Sequence, residues 1–388
     1  MVTTVRNLLP QSTLPGGMPV KVFLRDYWQK KPLLIRAAVP GFGDALDKAG
    51  LLALARRDDV ESRFVSHTQS EWQLGNGPFS AAEIKRWKAP WTVLVQGVNL
   101  VLPAGDALLR HFSFIPYARL DDLMVSYATD GGGVGPHIDN YDVFLLQGSG
   151  RRRWRIGKAK RRELVAEAPL KILKHFVPDE EHVLEAGDML YLPPDWAHDG
   201  IAEGECMTWS VGFRTSPANE LAEQFLCFLQ DRIADENALK GRYSDPDLQA
   251  QVHPAEIRKP MITQTMELLA QIRWDEAIVR DFLGSVLTEP KSHVFFDPPE
   301  TPLPRKTFVR QAQKYGVCLD ARTKMLFSGK TLYLNGEIEC FAREDMPTLT
   351  RLADQRGLPA QQIVEESLIA QLYDWYDAGF LHIVKSGD

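Results

Sequence analysis

The chain has 388 residues, more than one compact core usually holds, and its 44% hydrophobic and 25% charged residues are ordinary for a globular protein. Its 45 basic and 51 acidic residues give a formal charge of −6, which argues against direct binding of nucleic acid. The N-terminus is unlike a secretory leader, no run approaches about 18 apolar residues, and the four cysteines form no Cys-x-x-Cys pair. We therefore expect a cytoplasmic protein that does not contact a membrane.

The first zone of the chain, residues 1–215, contains most of the strand-like sequence. A short helix is predicted at 22–28, and an apolar strand at 33–35 follows it. Further apolar runs at 91–95 and 143–146 are short and bounded by glycine or proline, which is typical of buried strands. This zone is therefore expected to be a domain built mainly from strands.

Two further zones follow it. Residues 216–300 carry apolar residues at helical spacing and predict a helical region. Residues 301–388 begin in a proline-rich link and contain a predicted strand pair, 323–327 and 331–334, with helical segments after it, including 360–378. A hairpin beside helices predicts a winged-helix-like module, so the fold class of the chain is expected to be α+β.

One His-x-Asp motif, formed by His137 and Asp139, comes directly after the glycine-rich run 131–135. Residues i and i+2 of a strand point to the same face, so both side chains can approach one ion. A third ligand is predicted at His198, which ends the strand-like segment GDMLYLPPDWAH. Two imidazoles and one carboxylate form the facial triad of non-haem iron(II) oxygenases, although zinc or manganese can take the same ligands. Either histidine alone is equally well explained as a turn cap or a surface residue.

An arginine run, 151–153, precedes Trp154 and Ile156. Those two apolar residues need the interior, and strand parity places Arg152 on the same face. A buried guanidinium is costly unless it meets an anion. The distal carboxylate of a 2-oxo acid that chelates the metal is a suitable partner for two-pronged binding. A carboxylate of the protein is the alternative partner, and a solvated surface patch is the usual explanation of an arginine run.

Small residues on a further strand predict space for a ligand. Thr208, Ser210 and Gly212 share one face, where Ser210 can donate a hydrogen bond. Ser126 can do the same from another strand. Ordinary strand packing explains both serines equally well.

These segments together resemble the JmjC-type ribosomal oxygenases of bacteria. The resemblance rests on FLRDYWQKKPLLIRAA, LVQGVN, GGGVGPHIDNYDVFLLQGSGRRRW, GDMLYLPPDWAHDG and MTWSVGFR. It implies a double-stranded β-helix barrel of the JmjC/cupin type at 1–215, a helical dimerisation region at 216–300 and a C-terminal winged-helix-like domain at 301–388. The resemblance leaves the role of the residues before Val22 open.

The resemblance also implies the chemistry. Iron(II) is expected on His137, Asp139 and His198, with 2-oxoglutarate and dioxygen as cosubstrates. Arg152 is expected to take the distal carboxylate of 2-oxoglutarate, supported by Ser126 and Ser210. The implied substrate is an arginine side chain of the large-subunit ribosomal protein sixteen, hydroxylated at its β-carbon, and the implied assembly is a homodimer.

The residues leave two alternatives open. A JmjC enzyme with the same chemistry can hydroxylate another residue, such as histidine, or demethylate a side chain. For an arginine substrate, Asp130, Asp142 and Asp199 are candidate partners at the mouth of the site. A metal-binding cupin sensor that contacts DNA through its winged helix belongs to a different class. The acidic charge and the lack of a recognition helix rich in Lys and Arg weigh against that class.

Overall fold

The computed structural model describes residues 12–42, 45–68, 71–236, 239–363 and 366–384. Among them, no helix has both the length and the apolar composition that crossing a lipid bilayer requires. The backbone forms two compact units. The first unit comprises residues 1–215, 290–324 and 342–388, and the second comprises 216–289 and 325–341.

The helices and strands are numbered in chain order within the described residues. The strands are β1 Leu33–Ile35, β2 Ser62–His67, β3 Trp72–Asn76, β4 Trp91–Val95, β5 Leu120–Ala128, β6 His137–Ile138, β7 Asp142–Lys158, β8 Glu180–Leu184, β9 Met189–Leu192, β10 Trp196–Phe213, β11 Val317–Leu319, β12 Met325–Ser328, β13 Thr331–Leu334, β14 Glu337–Cys340, β15 Gly357–Leu358 and β16 Leu381–Ile383. The α-helices are α1 Val20–Asp26, α2 Lys48–Leu54, α3 Ala81–Ile84, α4 Pro103–Arg110, α5 Ala218–Glu236, α6 Lys259–Leu269, α7 Glu276–Thr288, α8 Arg305–Tyr315, α9 Met346–Gln355 and α10 Glu366–Asp377.

Two long strands build the barrel of the first unit. β7 has 17 residues and β10 has 18, and they pair with each other along most of their length. The first part of β7 pairs with β9 and its second part with β8, while β10 pairs first with β6 and then with β5. The register between β7 and β10 shifts between Glu203 and Met207, where the strands bend. The result is the double-stranded β-helix that the resemblance implied.

Packing inside the barrel explains where the strands form. All four residues of β9 are buried, as expected for a strand covered on both faces. An aromatic cluster lies in the core of the barrel. Within this cluster, Phe144 contacts both Phe23 and Tyr191. Its ring centroid lies 5.5 Å from that of Phe23 and 4.9 Å from that of Tyr191.

The predicted elements of the barrel are close to the observed ones. The predicted strands 33–35 and 91–95 have the observed bounds of β1 and β4, and 143–146 lies within β7. The predicted helix at 22–28 is observed two residues earlier, because it starts directly after Pro19, whose fixed φ suits a helix start.

The described residues after 215 form the six helices α5 to α10 and two small three-stranded sheets. In the second unit, the predicted hairpin is β12 and β13, and a third strand, β14, extends it. In the first unit, α10 lies within the predicted helix 360–378, although residues 364 and 365 lie outside the described ones. The three-domain division at 215 and 300 remains a proposal.

Candidate metal and cosubstrate site

Two segments of the barrel bring the predicted metal donors together. β6 pairs with the start of β10, and His137 lies directly opposite His198 in this ladder, with ring centroids 4.2 Å apart. Asp139 follows β6, and its Oδ2 lies 3.6 Å from Nε2 of His198 and 3.9 Å from Nε2 of His137. One ligand atom from each residue lies within 4.8 Å of the other two. A single metal ion can therefore bind all three side chains.

Hydrogen bonds fix the tautomer of both histidines. Nδ1 of His137 donates to the carbonyl of Gly135 (2.8 Å), and Nδ1 of His198 donates to the carbonyl of Trp196 (3.0 Å). A carbonyl oxygen only accepts, so in the neutral form of each ring the proton lies on Nδ1 and the lone pair on Nε2. Burial, and then the neighbouring His137, lowers the pKa of His198 to about 4, so this ring is neutral near pH 7. Both rings are thus oriented to coordinate a metal through Nε2.

Gly135 shapes the turn that presents His137. Its φ of +77° lies in the left-handed region that glycine tolerates best. A Cβ at this position would lie 2.6 Å from the ring of Trp72. Because the carbonyl of Gly135 also receives the hydrogen bond from His137, the shape of the turn and the orientation of the ligand are coupled.

Arg152 lies inside the barrel, where the sequence predicted it. It is 5% exposed and shares its face of β7 with Trp154 and Ile156, whereas Arg151 and Arg153 point outward. Its Nε and Nη2 are buried and have no hydrogen-bond partner among the described residues. A buried cation without a counter-ion is strongly unfavourable, so the site is suited to an anionic ligand. The alternative of a protein carboxylate as partner has no support in the described part of the chain.

The triad and Arg152 line one cavity of about 500 Å³. Ser126 on β5 and Ser210 on β10 also line it, and both are buried. Thr208 and Gly212 line it as well, so the face of small residues predicted on this strand does border the cavity. Every predicted site residue therefore lines one cavity.

Two further residues of the cavity were not predicted. The Thr92 hydroxyl is buried without a hydrogen-bond partner among the described residues, and it sits on β4, which pairs with β5. Tyr141 lies two residues beyond Asp139 and also lines the cavity. Nothing in the local sequence marks either residue, because a threonine in a buried strand and a tyrosine in a loop are both common.

The three acidic residues suggested as partners of an arginine substrate do not line this cavity. Asp142 is buried and accepts a hydrogen bond from Tyr191 (2.6 Å). Asp199 is buried and forms an ion pair with Arg155. Asp130 accepts a backbone hydrogen bond. The prediction was wrong because proximity in sequence to the metal motif does not determine which way these carboxylates point.

Besides the metal donor Asp139, the carboxylates that line the cavity are Glu61, Asp121 and Asp122, which together are called its acidic mouth below. Asp122 precedes Met124 and Ser126 on β5 at a spacing of two, so all three share a strand face. Strand parity, counted back from Ser126, therefore leads to Asp122. Asp122 was not predicted as a site residue, because the start of β5 was not predicted.

Comparisons with known proteins place these features in a family. Residues 107–221 match the JmjC domain family, and residues 271–382 match the ROXA-like winged helix family. The ribosomal protein uL16 3-hydroxylase of Escherichia coli K12 is 33% identical over 366 residues, which span 92% of this chain and 96% of that protein. The chain belongs to the JmjC-type ribosomal oxygenases.

Solved structures support the same family. The X-ray structure of E. coli YcfD is 30% identical to this ribosomal oxygenase, with a TM-score of 0.81 over 94% of this chain and 98% of that one. A structure of the E. coli ribosomal oxygenase YcfD in complex with cobalt and 2-oxoglutarate is 30% identical, with a TM-score of 0.78 over 93% and 97% of the two chains. The JmjC barrel and the C-terminal winged helix expected from the sequence are confirmed, and the winged-helix match begins early enough to include α7.

Proposed function

We propose that this ribosomal oxygenase uses iron(II), 2-oxoglutarate and dioxygen to hydroxylate the β-carbon of an arginine in the large-subunit ribosomal protein uL16, protein sixteen, in the cytoplasm. The observation that carries the proposal is one cavity that joins three metal donors to a buried, unpaired guanidinium. Two imidazoles and a carboxylate suit iron(II) and leave positions open for a chelating cosubstrate. The unpaired guanidinium suits the distal carboxylate of 2-oxoglutarate.

Each residue of the site has a separate task in this proposal. His137, Asp139 and His198 hold the ion, and Arg152 orients 2-oxoglutarate through its distal carboxylate. Iron and 2-oxoglutarate, when bound, supply the activation of dioxygen that oxidises a substrate C–H bond. The chain itself needs no nucleophile and no general base, so its contribution is to position the reactants.

The walls of the cavity limit access of water. Val143, Leu145 and Trp154 line it beside Arg152. Apolar walls around a charged ligand strengthen the electrostatic contacts that hold it and suppress side reactions.

The mouth of the cavity favours a cationic side chain. Asp121 and Asp122 are adjacent on β5, and the side chain of Asp122 is only 14% exposed. A partly buried carboxylate binds a guanidinium well, because the planar fork of donors matches its two oxygens. This supports arginine as the substrate side chain.

Asp139→Ala tests the metal site. The variant is expected to fold, to bind iron(II) at least about tenfold more weakly, and to lose 2-oxoglutarate consumption, because two imidazoles alone remain. Metal titration and turnover assays measure both effects. Asp130→Ala, which removes a carboxylate outside the cavity, is the matched control and should keep full turnover. Turnover that survives Asp139→Ala would contradict the metal assignment.

Mass spectrometry tests the substrate. Ribosomal proteins from cells that lack this gene should miss the mass of one oxygen atom on a single arginine peptide of uL16. A missing oxygen on a histidine peptide, or a retained methyl group, would assign the same chemistry to a different target.

We further propose that the protein is a homodimer, because one face of α6 is apolar and exposed. Ile262, Met266 and Leu269 recur at spacings of four and three and so form one stripe along the helix. Met266 is 64% exposed, and none of the residues of α6 is buried. An apolar stripe of this kind is typical of an interface, and a second copy of the chain is its proposed occupant.

Met266→Glu tests the dimer. A carboxylate within an apolar interface loses its hydration, so this variant is expected to be monomeric by light scattering. Glu267→Lys changes the charge at an exposed position on the other side of the helix and should leave the dimer intact. A monomeric wild-type protein would refute the proposal.

A further inference from the structure

A lysine from a distant part of the chain lies against the acidic mouth of the cavity. Nζ of Lys291 is 3.6 Å from Oδ2 of Asp122 and 3.9 Å from Oδ1 of Asp121, and all three residues line the cavity. The Lys291 side chain is 35% exposed. The carboxylates suited to a substrate cation thus already have a cation of the protein beside them.

Lys291 is not what orients these carboxylates. Asp121 accepts a hydrogen bond of 3.0 Å from Nε of Arg214. Asp122 accepts one of 3.3 Å from the backbone of Gly97 and, with the amide nitrogen of Gln96 turned toward it, one of 3.0 Å from that side chain. Both Lys291 distances exceed the length of a hydrogen bond. Lys291 therefore contributes positive charge without fixing the geometry.

The charge around the two carboxylates is already balanced by the chain. Burial raises the pKa of Asp122, and Lys291 counteracts this rise. Burial is the main cause that lowers the pKa of Lys324 to about 8, and Arg214 and Lys291 lower it further, while Asp121 and Asp122 raise it. A substrate cation that approaches Asp122 must displace Lys291 or bind beside it.

We propose that Lys291 is an internal competitor for the cationic side chain of the substrate. The inference rests on the proposed function, because it takes the acidic mouth as the arginine subsite. In the free enzyme, Lys291 offsets the negative charge of the two carboxylates. It therefore weakens the binding of every cation that enters the cavity. An arginine still binds, since a guanidinium makes a two-pronged contact that an ammonium at 3.6 Å does not make.

Two substitutions with opposite expected effects on peptide affinity test this role. Lys291→Met removes the competitor and is expected to tighten the binding of an arginine peptide about three- to fivefold, the usual effect of one partly exposed ion pair. Lys291→Arg supplies a better competitor, because it can grip Asp122 with two donors, and is expected to weaken binding by about the same factor. If Lys291 only stabilised the fold, Lys291→Met would bind the peptide more weakly than Lys291→Arg.

The measurement is calorimetric titration of the protein loaded with manganese(II) and 2-oxoglutarate without oxygen. The probe is a short peptide of glycine and alanine with one central arginine, and the same peptide with citrulline is its neutral counterpart. Lys171→Met is the matched control, because Lys171 lines the same cavity but forms no ion pair among the described residues. Citrulline affinity should not change in any variant.

Each outcome decides the matter. The role of Lys291 as a competitor is supported if Lys291→Met binds the arginine peptide more tightly and Lys291→Arg binds it more weakly than the wild type. Equal affinities, the reverse order, or the same tightening in Lys171→Met overturns it. The proposed function is judged separately, by 2-oxoglutarate consumption of the wild-type iron enzyme, so a failure there is distinguishable from a failure of the binding pattern.

Discussion

Arg152 is the residue at which stability and function conflict. Its guanidinium is buried, and two of its nitrogens have no partner among the described residues. Such a group destabilises the protein without its ligand, because the lost hydration is not replaced. The same isolation makes it a strong site for a carboxylate once the ligand arrives.

Arg152→Met is expected to separate the two effects. Without cosubstrate, the free energy of unfolding should rise by about 1–3 kcal/mol, because an uncompensated buried charge is removed. The KM for 2-oxoglutarate should rise about 30-fold or more, because the charged contact is lost. Chemical denaturation and steady-state assays measure the two quantities.

Arg153→Met is the control for this change. Arg153 points outward and pairs with Glu181 and Glu203 on the surface, so both quantities should stay nearly unchanged. An unchanged KM in Arg152→Met would show that 2-oxoglutarate is anchored elsewhere.

Single residues also show where sequence reasoning reaches its limit. Arg152 was predictable, because Trp154 and Ile156 fix the parity of its strand. Lys291 was not, because it reaches Asp121 and Asp122 from more than 150 positions away, and no periodicity records such a contact.

At the scale of elements, the glycine-rich turn before β6 positions one ligand and limits which residues fit. Gly135 combines a left-handed backbone with close contact to Trp72. The two constraints are separable, because Gly204 has a similar φ of +75° but no neighbouring atom within 4 Å of an added Cβ.

Gly135→Ala and Gly204→Ala therefore form a matched pair. Both should lose about 1 kcal/mol of stability from the strained backbone. Gly135→Ala should lose about 1–3 kcal/mol more from the clash with Trp72, together with iron(II) affinity as His137 shifts. Denaturation and metal titration of both variants measure this, and equal losses would show that the clash relaxes without cost.

Short strands were easier to predict than long ones. The runs at 33–35 and 91–95 are apolar and clearly bounded, so their limits matched β1 and β4. β7 was only partly predicted, because Gly148 and Gly150 interrupt its apolar pattern where the strand bends between two partners. Pairing with β10 carries the strand across that interruption, and such a tertiary effect leaves no local signal.

At the scale of the whole molecule, Asp320 joins strands of the C-terminal part of the first unit. It accepts hydrogen bonds from His382 (2.8 Å) and from Nε of Arg322 (2.7 Å), while Arg356 donates to its backbone carbonyl (2.6 Å). Burial alone would raise the pKa of Asp320, but the hydrogen bonds from His382 and Arg322 lower it below its ordinary value.

A lowered carboxyl pKa makes stability depend on pH with a definite sign. The contribution of Asp320 is fully present above the ordinary aspartate pKa of about 4 and is lost as the pH falls toward the lower folded value. Asp320→Asn should therefore cost about 2 kcal/mol at pH 7, and the difference from wild type should shrink below about pH 4. Urea denaturation over this range measures it.

Asp374→Asn, at an exposed position on α10, should change stability by less than about 0.5 kcal/mol at any of these pH values. A constant difference between Asp320→Asn and wild type down to the acid limit would contradict the lowered pKa.

The residues proposed for oxidation and those proposed for substrate recognition lie on different backbone segments of the barrel. The proposed metal donors and Arg152 lie on or beside β6, β7 and β10. The acidic mouth comes from Glu61 just before β2 and from the start of β5, and Lys291 reaches it from a distant segment. Redesign of the segments that carry the acidic mouth and Lys291 should therefore change which substrate side chain the enzyme accepts. The metal donors and Arg152 should keep their geometry in such a redesign.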